Sequence, residues 1–491
     1  HHGLPVVVAH WMTFTEPEDG EGLPYRVLKS DTTIKDTAAV GASMLWRGAV
    51  FASAALGCLL SAGLVFGYSG LFPQLVANGV FRDRCNAAGE MPTMSEPCVA
   101  QARALTVMFT VATCAINVCS ILAGVLYDRC GPRASGAGAA ITTCIGCLIF
   151  AAGNAGALDY AYMLGFFIMA VAGPSVFIAS LSFVNLFPGR EGLGTAVLVG
   201  CFDASSAMFV GLAFFMERGV PFDQAFAGYA AVLGIFGAVA LMLWPSKPVA
   251  LQQQVVDDMD DGSSVDSSPL AELPLKKQFW STEYKLLLLA FSVGMSSINF
   301  FIATCDLQMQ RVDPDLAPEL NRAFSIMLPL GGIVYIPVIG VVLDRLGPTS
   351  GWAVAWLALF VFGLLNWYYA FSGSMAAAYG AFAVFGFCRP LFYSLGADFT
   401  ARTFGPGTFG LLYGTMNTVA GISNFSVQLL QQLSDVAGFG LVNGIVLIAQ
   451  LLMLPLPALM VWRKRLRHSQ AKSADQILGR LSSPVGRPFT P

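Results

Sequence analysis

Gly124-Val125-Leu126-Tyr127-Asp128-Arg129-Cys130-Gly131-Pro132-Arg133 and Gly340-Val341-Val342-Leu343-Asp344-Arg345-Leu346-Gly347-Pro348-Thr349 are two versions of one pattern, 216 residues apart (340 − 124). The same offset carries Pro174 onto Pro390 and Gly194 onto Gly410. One match of this length means little. Three regions in one register describe a chain built from two parallel copies of one unit.

Each copy closes an apolar run and combines glycine, an acid and a base. Glycine permits close helix approach and a tight turn, and the basic residues belong at a water-facing surface. Asp128 and Asp344 carry the mechanical content. A carboxylate at a membrane boundary can meet the positive N-terminal end of a neighbouring helix, a contact that one conformation keeps and another loses. Gly124, Asp128, Arg129, Gly131 and Arg133, with Gly340, Asp344, Arg345 and Gly347, are therefore the expected conformational motif. The plainer alternative is that they only shape a turn. The second copy ends in Thr349 where the first has Arg133, which weakens its latch.

Of the 491 residues, 55% are hydrophobic and 12% charged, against about 25% charged in a typical soluble domain. Runs long enough to cross the hydrocarbon core, about 20 mostly apolar residues, begin near positions 48, 104, 135, 160, 193, 225, 285, 322, 351, 375, 407 and 437. The expected fold is an all-α membrane protein with twelve transmembrane helices in two pseudo-symmetric six-helix halves. Its 51 glycines suit close packing between spans. The chain divides into an N-terminal segment 1–47, a six-helix half 48–245, a linker 246–283, a second half 284–462 and a tail 463–491. The linker is acidic and serine-rich from Asp257 to Ser264 and reads as a flexible solvated connection, with a regulatory site as the alternative.

Orientation follows from the basic residues. With both termini cytoplasmic, about twenty of the 27 Lys and Arg residues fall inside, and the tail Arg463-Lys464-Arg465-Leu466-Arg467 agrees. No cleavable signal peptide is expected, because the chain is mixed and polar up to Trp46 and Arg47. The residues before Met12 are left out of the argument. Most of the 11 cysteines lie in apolar runs, where Cys behaves as a small buried hydrophobe. Cys85 and Cys98 sit instead in the polar stretch between the first two runs, where a disulfide would contribute roughly 3 kcal/mol. Two free thiols are the alternative.

The first copy of the motif resembles the signature loop between the second and third helices of the major facilitator superfamily. Within it, Phe187-Pro188-Gly189-Arg190, Gly200-Cys201-Phe202-Asp203-Ala204-Ser205-Ser206, Arg389-Pro390-Leu391-Phe392-Tyr393, and Phe404-Gly405 leading to Phe409-Gly410 resemble the L-type amino-acid and equilibrative nucleobase transporter family, solute carrier family 43. The resemblance covers most of the stretch from Gly63 to Gln432. It implies facilitated uniport, with helices one, four, seven and ten lining a central pathway and Arg389 and Tyr393 at the substrate site.

A charge inside a span costs about 2.5–3.5 kcal/mol or more, so an ionisable group there is a functional candidate. Asp203 and Arg389 stand out. Under the 216-residue offset their counterparts are Val419 and Gly173, so the shared scaffold requires neither charge. Arg389 could hold a carboxylate through paired hydrogen bonds, or donate to the carbonyl and ring nitrogen of a purine. The alternative is an internal ion pair with Asp203, and a gate could use both arrangements. Tyr68, Ser205, Ser206, Asn299 and Asn417 are further substrate-site candidates, with Asn117 and Thr304 beside them. Each also reads as a helix-to-helix hydrogen bond. Phe66, Phe300 and Phe392 read as packing or lipid-facing.

The expected function is transport of a small organic solute by alternating access, large neutral amino acids leading and nucleobases the nearest rival. Proton coupling through Asp203 competes with uniport, and a transporter-like receptor is a reading of a different class. An enzyme is not expected: His1, His2, His10 and His468 lie outside the spans, and no nucleophile–base pair appears. Nor is a nucleotide-binding loop present. No cofactor, metal or nucleic acid is called for, and the partners are a bilayer and a small-molecule substrate, with a monomer sufficient. The location is a plasma or vacuole-like membrane.

Overall fold

The computed structural model describes residues 43–88, 98–153, 158–249 and 270–463. The chain divides into His1–Met44 and Leu45–Pro491. Of the first unit only residues 43 and 44 are described, and the helical bundle belongs to the second. Most of the N-terminal segment, the acidic centre of the linker, the basic tail after Arg463 and the four histidines lie outside the described residues.

Every regular element among the described residues is helical. In chain order they are α1 (Met44–Gly57), α2 (Tyr68–Ala77), α3 (Asp83–Ala88), α4 (Val99–Ala151), α5 (Asp159–Leu181), α6 (Glu191–Ala204), α7 (Ala207–Glu217), α8 (Phe222–Leu243) and the short α9 (Leu275–Phe279). There follow α10 (Thr282–Val312), α11 (Ala317–Val334), α12 (Ile336–Val341), α13 (Gly347–Ser372), α14 (Met375–Phe404), α15 (Phe409–Ser423), α16 (Phe425–Ala437) and α17 (Phe439–Met453). Among the described residues nine helices are long and apolar enough to cross a membrane. Large side chains such as Leu122, Ile235, Met242 and Leu357 point away from the protein, which suits contact with hydrocarbon rather than water.

The two motif glycines explain where the long helices break. Gly131 takes φ 78° and ψ 173° inside α4, and Gly347 takes φ 72° and ψ 168° at the start of α13. Both conformations lie in the positive-φ region that glycine enters without steric cost. A proline follows each glycine and fixes the next helical arm from its first turn. Ser281 and Cys98 cap α10 and α4, accepting from the Tyr284 and Gln101 amides.

At this end of the bundle the helices touch backbone to backbone. A Cβ on Gly124 would overlap the Gly410 carbonyl, one on Gly414 would overlap the Ser120 carbonyl, and one on Gly340 would crowd Leu193. At the far end of α4, about 45 Å away along the helix axis, a disulfide joins Cys85 to Cys98. Beside it, Gln101 donates to the Val80 carbonyl at 2.9 Å. The helices after the linker have their own cross-tie, because Gln308 of α10 accepts from Asn366 of α13 and Asn443 of α17. Arg311 adds an ion pair with Asp435 at 2.7 Å.

The repeat is real in geometry, but its register slips. Asp128 meets the backbone at Gly410, while Asp344 meets it at Gly192 rather than Gly194. The offset there is 218 (410 − 192), and Gly421, not Val419, is the counterpart of Asp203. The cause is local helix geometry. After α5 the chain tightens into a 3₁₀ turn, Ser182–Leu186, whereas α14 stays α-helical from 398 to 404. Five residues at 2.0 Å and seven at 1.5 Å both advance about 10 Å, so the first copy needs two residues fewer.

Substituting Gly124 by Val should lower the melting temperature by several degrees, an overpacking cost of about 1–3 kcal/mol. Gly138→Val, at a position with nothing within 4 Å, should leave it within a degree. Equal effects in thermal unfolding would show that the Gly124 contact does not hold the bundle together.

Candidate functional site

Two prolines disturb the helices that carry the site. Pro174 in α5 and Pro390 in α14 each remove a backbone hydrogen bond, a break tolerated where a helix bends or lines a cavity. Arg389 precedes the second proline and reaches α6, where its Nη1 lies 2.6 Å from Asp203 Oδ1. Asp203 fits because α11 presents glycine opposite it: a Cβ on Gly332 would stand 3.1 Å from the Asp203 Cβ. The two side chains are 10% and 1% exposed. Burying either charge alone would cost several kcal/mol, and their mutual attraction offsets that cost only because both are present.

The pair leaves chemistry to spare. Arg389 Nε and both carboxylate oxygens of Asp203 are buried without a hydrogen-bond partner among the described residues, so the pair retains a free donor and free acceptors. One helical turn on, the Tyr393 ring centroid lies 5.6 Å from the guanidinium carbon, a cation–π distance. The other side of Tyr393 belongs to a cavity of about 570 Å³, counting its open mouth. Phe66, Phe177, Phe202, Phe291 and Tyr413 supply its aromatic walls, and Asn117, Ser120, Asn417 and Asn424 its polar points. A mostly apolar hollow with a few polar anchors is how small-molecule sites are built.

The residues expected from sequence separate into three groups. Tyr393 and Asn417 line the cavity, as does Asn117. Arg389 and Asp203 form the pair just behind Tyr393 and are not part of the lining. Ser205, Ser206, Tyr68 and Asn299 also lie outside it. Ser205 accepts from the Gly63 amide at 2.8 Å and donates to the Phe202 carbonyl at 2.6 Å, Ser206 donates to the Asp203 carbonyl, and Tyr68 stacks on Phe109 at 4.8 Å. Thr304 belongs to the Gln308 tie instead. Phe300 and Phe392 are packed inside at 1% and 0% exposure, and Phe66, partly exposed beside Phe202, also forms a wall of the cavity. The other aromatic walls went unread in the sequence, because they look like any apolar residue of a span.

The shared spacing of the two motif copies is realised as two matching contacts between a carboxylate and a helix N-terminus. Asp128 accepts from the Gly410 and Leu411 amides at 2.9 and 2.8 Å. Asp344 accepts from Gly192 and Leu193 at 2.6 and 3.2 Å. Each carboxylate thus closes the N-terminus of a helix from the opposite set, α15 in one case and α6 in the other, where free amides and the helix dipole favour negative charge. Arg129 and Arg345 are exposed, and Arg133 donates to the Trp244 carbonyl just past the end of α8.

A family model described as Major Facilitator Superfamily matches residues 87–427. Protein FMP42 of Saccharomyces cerevisiae is 29% identical over 458 residues, covering 79% of this chain and 88% of that protein. An "Aromatic and large neutral amino acid transporter 5-3" of Toxoplasma gondii is 25% identical over 448 residues, covering 86% and 84%. In fold, the human organic anion transporter MFSD10 superposes with a TM-score of 0.59 at 15% identity, covering 84% of this chain and 99% of that one.

Arg389→Met alone strands a buried carboxylate and should cost about 3–5 kcal/mol, whereas Arg389→Met with Asp203→Leu should recover most of it. Melting temperatures of the two single variants and the double variant test this. A double variant no more stable than Arg389→Met would mean the charges are not a buried pair.

Proposed function

The chain belongs to the major facilitator superfamily, and from that membership we propose that it carries large neutral amino acids across a membrane by facilitated uniport. It is a multi-pass membrane transporter of small solutes and not an enzyme. The observation that carries the finer reading is the unpartnered donor and acceptor of the Arg389–Asp203 pair beside an apolar, aromatic cavity. An amino acid has the complementary features. Its carboxylate suits Arg389 Nε, its ammonium suits Asp203 Oδ2, and its side chain suits the ring-lined hollow. The name of the Toxoplasma gondii relative supports the same class.

The architecture in this reading has twelve crossings in two six-helix halves. The helices group as 44–77, 99–130, 132–151, 159–186, 191–217 and 222–243, then 282–312, 317–346, 347–372, 375–404, 409–437 and 439–463. Several of these contain internal breaks or share a helix with a neighbour, which is why fewer stand out by length and composition. The latch end faces the cytoplasm with both termini, and the disulfide faces outward, where oxidising conditions let it persist. Alternating access then means releasing both latches while the halves rock about the midplane.

The aromatic walls also favour a second solute class. A purine presents an adjacent acceptor and donor to the same pair and a flat face to Tyr393 and Phe202. Uptake of labelled leucine, phenylalanine and adenine into proteoliposomes, with and without a proton gradient, separates the readings. Leucine or phenylalanine should enter without a gradient. Arg389→Lys keeps the charge but loses the planar fork, and should reduce that uptake about 100-fold with melting temperature unchanged. Adenine uptake alone would replace the substrate class, accumulation driven by the gradient would replace uniport, and binding without uptake would favour a receptor.

A further inference from the structure

We propose that Asn424 accepts a hydrogen bond from the far end of the solute, so that large neutral amino acids whose side chain ends in a donor, such as the tyrosine hydroxyl, are preferred over plain hydrocarbon ones. The inference deepens the amino-acid reading and rests on it.

Two spans break at matching places. The chain parts between α6 and α7 at Ser205 and Ser206, and between α15 and α16 at Asn424. The offset of 218 carries Ser205 onto Ser423 and Ser206 onto Asn424. Ser205 and Ser423 perform one task. Each donates to the carbonyl three residues back, Phe202 at 2.6 Å and Ala420 at 2.7 Å. Each also ties its break to another helical segment, Ser205 through the Gly63 amide at 2.8 Å and Ser423 through Ser296 Oγ at 3.0 Å. Ser206 in turn donates to the Asp203 carbonyl at 2.8 Å.

Asn424 departs from this pattern. Its Oδ1 is buried with no hydrogen-bond partner among the described residues. Its side chain does not cap α16, and its backbone keeps an ordinary helical conformation, φ −65° and ψ −11°. Neither the turn nor the repeat therefore asks for an amide at this position. A buried acceptor left unmet is a standing cost that a ligand can relieve.

The amide also stands in the right place. Asn424 lines the same aromatic cavity as Tyr393. Counted away from the short turn that joins α14 to α15, Arg389 and Asn424 lie equally deep (404 − 389 = 15; 424 − 409 = 15), about 22 Å along the two helices. An amino acid held by its head group at the Arg389–Asp203 pair would send its side chain into the hollow at the level of Asn424. A hydroxyl or N–H at the tip then meets Oδ1, whereas a phenyl ring leaves it stranded. Sites built to hydrogen-bond a solute discriminate against the analogue that lacks the group.

Tyrosine and phenylalanine differ by one hydroxyl, so the ratio of their affinities isolates the contact. Equilibrium binding of each labelled amino acid to the purified protein needs no transport cycle, and a ratio taken within one protein is independent of the fraction folded. The wild type should hold tyrosine about tenfold more tightly than phenylalanine, and Asn424→Leu and Asn424→Ala should each bring the ratio to one or below. Equal affinities in the wild type, or a ratio that survives both substitutions because the two solutes weaken together, would overturn the proposal. If neither amino acid binds, the amino-acid reading itself fails, and the contact is read instead with adenine against purine, which differ by one amino group. Loss of an adenine preference in Asn424→Leu would uphold the contact and replace only the solute class. An unchanged preference, or no binding of any of the four, would overturn it.

Discussion

Two helix N-termini in this protein end inside the boundary between its two sets of helices, and their amides must be satisfied there or left at a cost. Asp128 and Asp344 satisfy two each. The arrangement dictates much of the surrounding sequence. A carboxylate can reach backbone amides only if the helices come closer than side chains permit, so Gly124, Gly192, Gly340 and Gly410 stand where a Cβ would collide. The chain must then turn at once, so Gly131 and Gly347 adopt positive φ. Charge-assisted hydrogen bonds contribute about 1.5–3 kcal/mol each, so the two carboxylates tie the two sets of helices together at this end. Among the described residues no disulfide joins the two sets of helices, and the Cys85–Cys98 bridge sits at the far end within one of them.

This constraint is also why so much of the fold was legible. The motif recurs because the same carboxylate-to-amide contact recurs, and glycine, aspartate and proline at fixed spacing are residues whose reasons are local. Cys85 and Cys98 were legible for a similar reason, as two thiols in a polar stretch between apolar ones. The register of the repeat was not, because a 3₁₀ turn and an α turn look alike in sequence while consuming chain at different rates. The site was legible in part. Asp203 and Arg389 announce themselves by being charged within apolar runs; the sequence put ligand contact by Arg389 ahead of an ion pair with Asp203, and the structure shows them paired. Ser205 and Ser206 are adjacent to Asp203 in sequence, yet their hydroxyls serve the backbone.

The electrical character of the Arg389–Asp203 pair bears on the mode of transport. A charge carried across a membrane exchanges about 2.3 kcal/mol with each 100 mV of potential. A buried arginine paired with a buried aspartate is neutral as a unit. A zwitterion divided between the same two groups adds a positive end to the acid and a negative end to the base, so the loaded site is neutral as well. In the proposed mechanism, neither the empty nor the loaded carrier gains or loses energy to the membrane potential, and net movement follows the solute gradient alone.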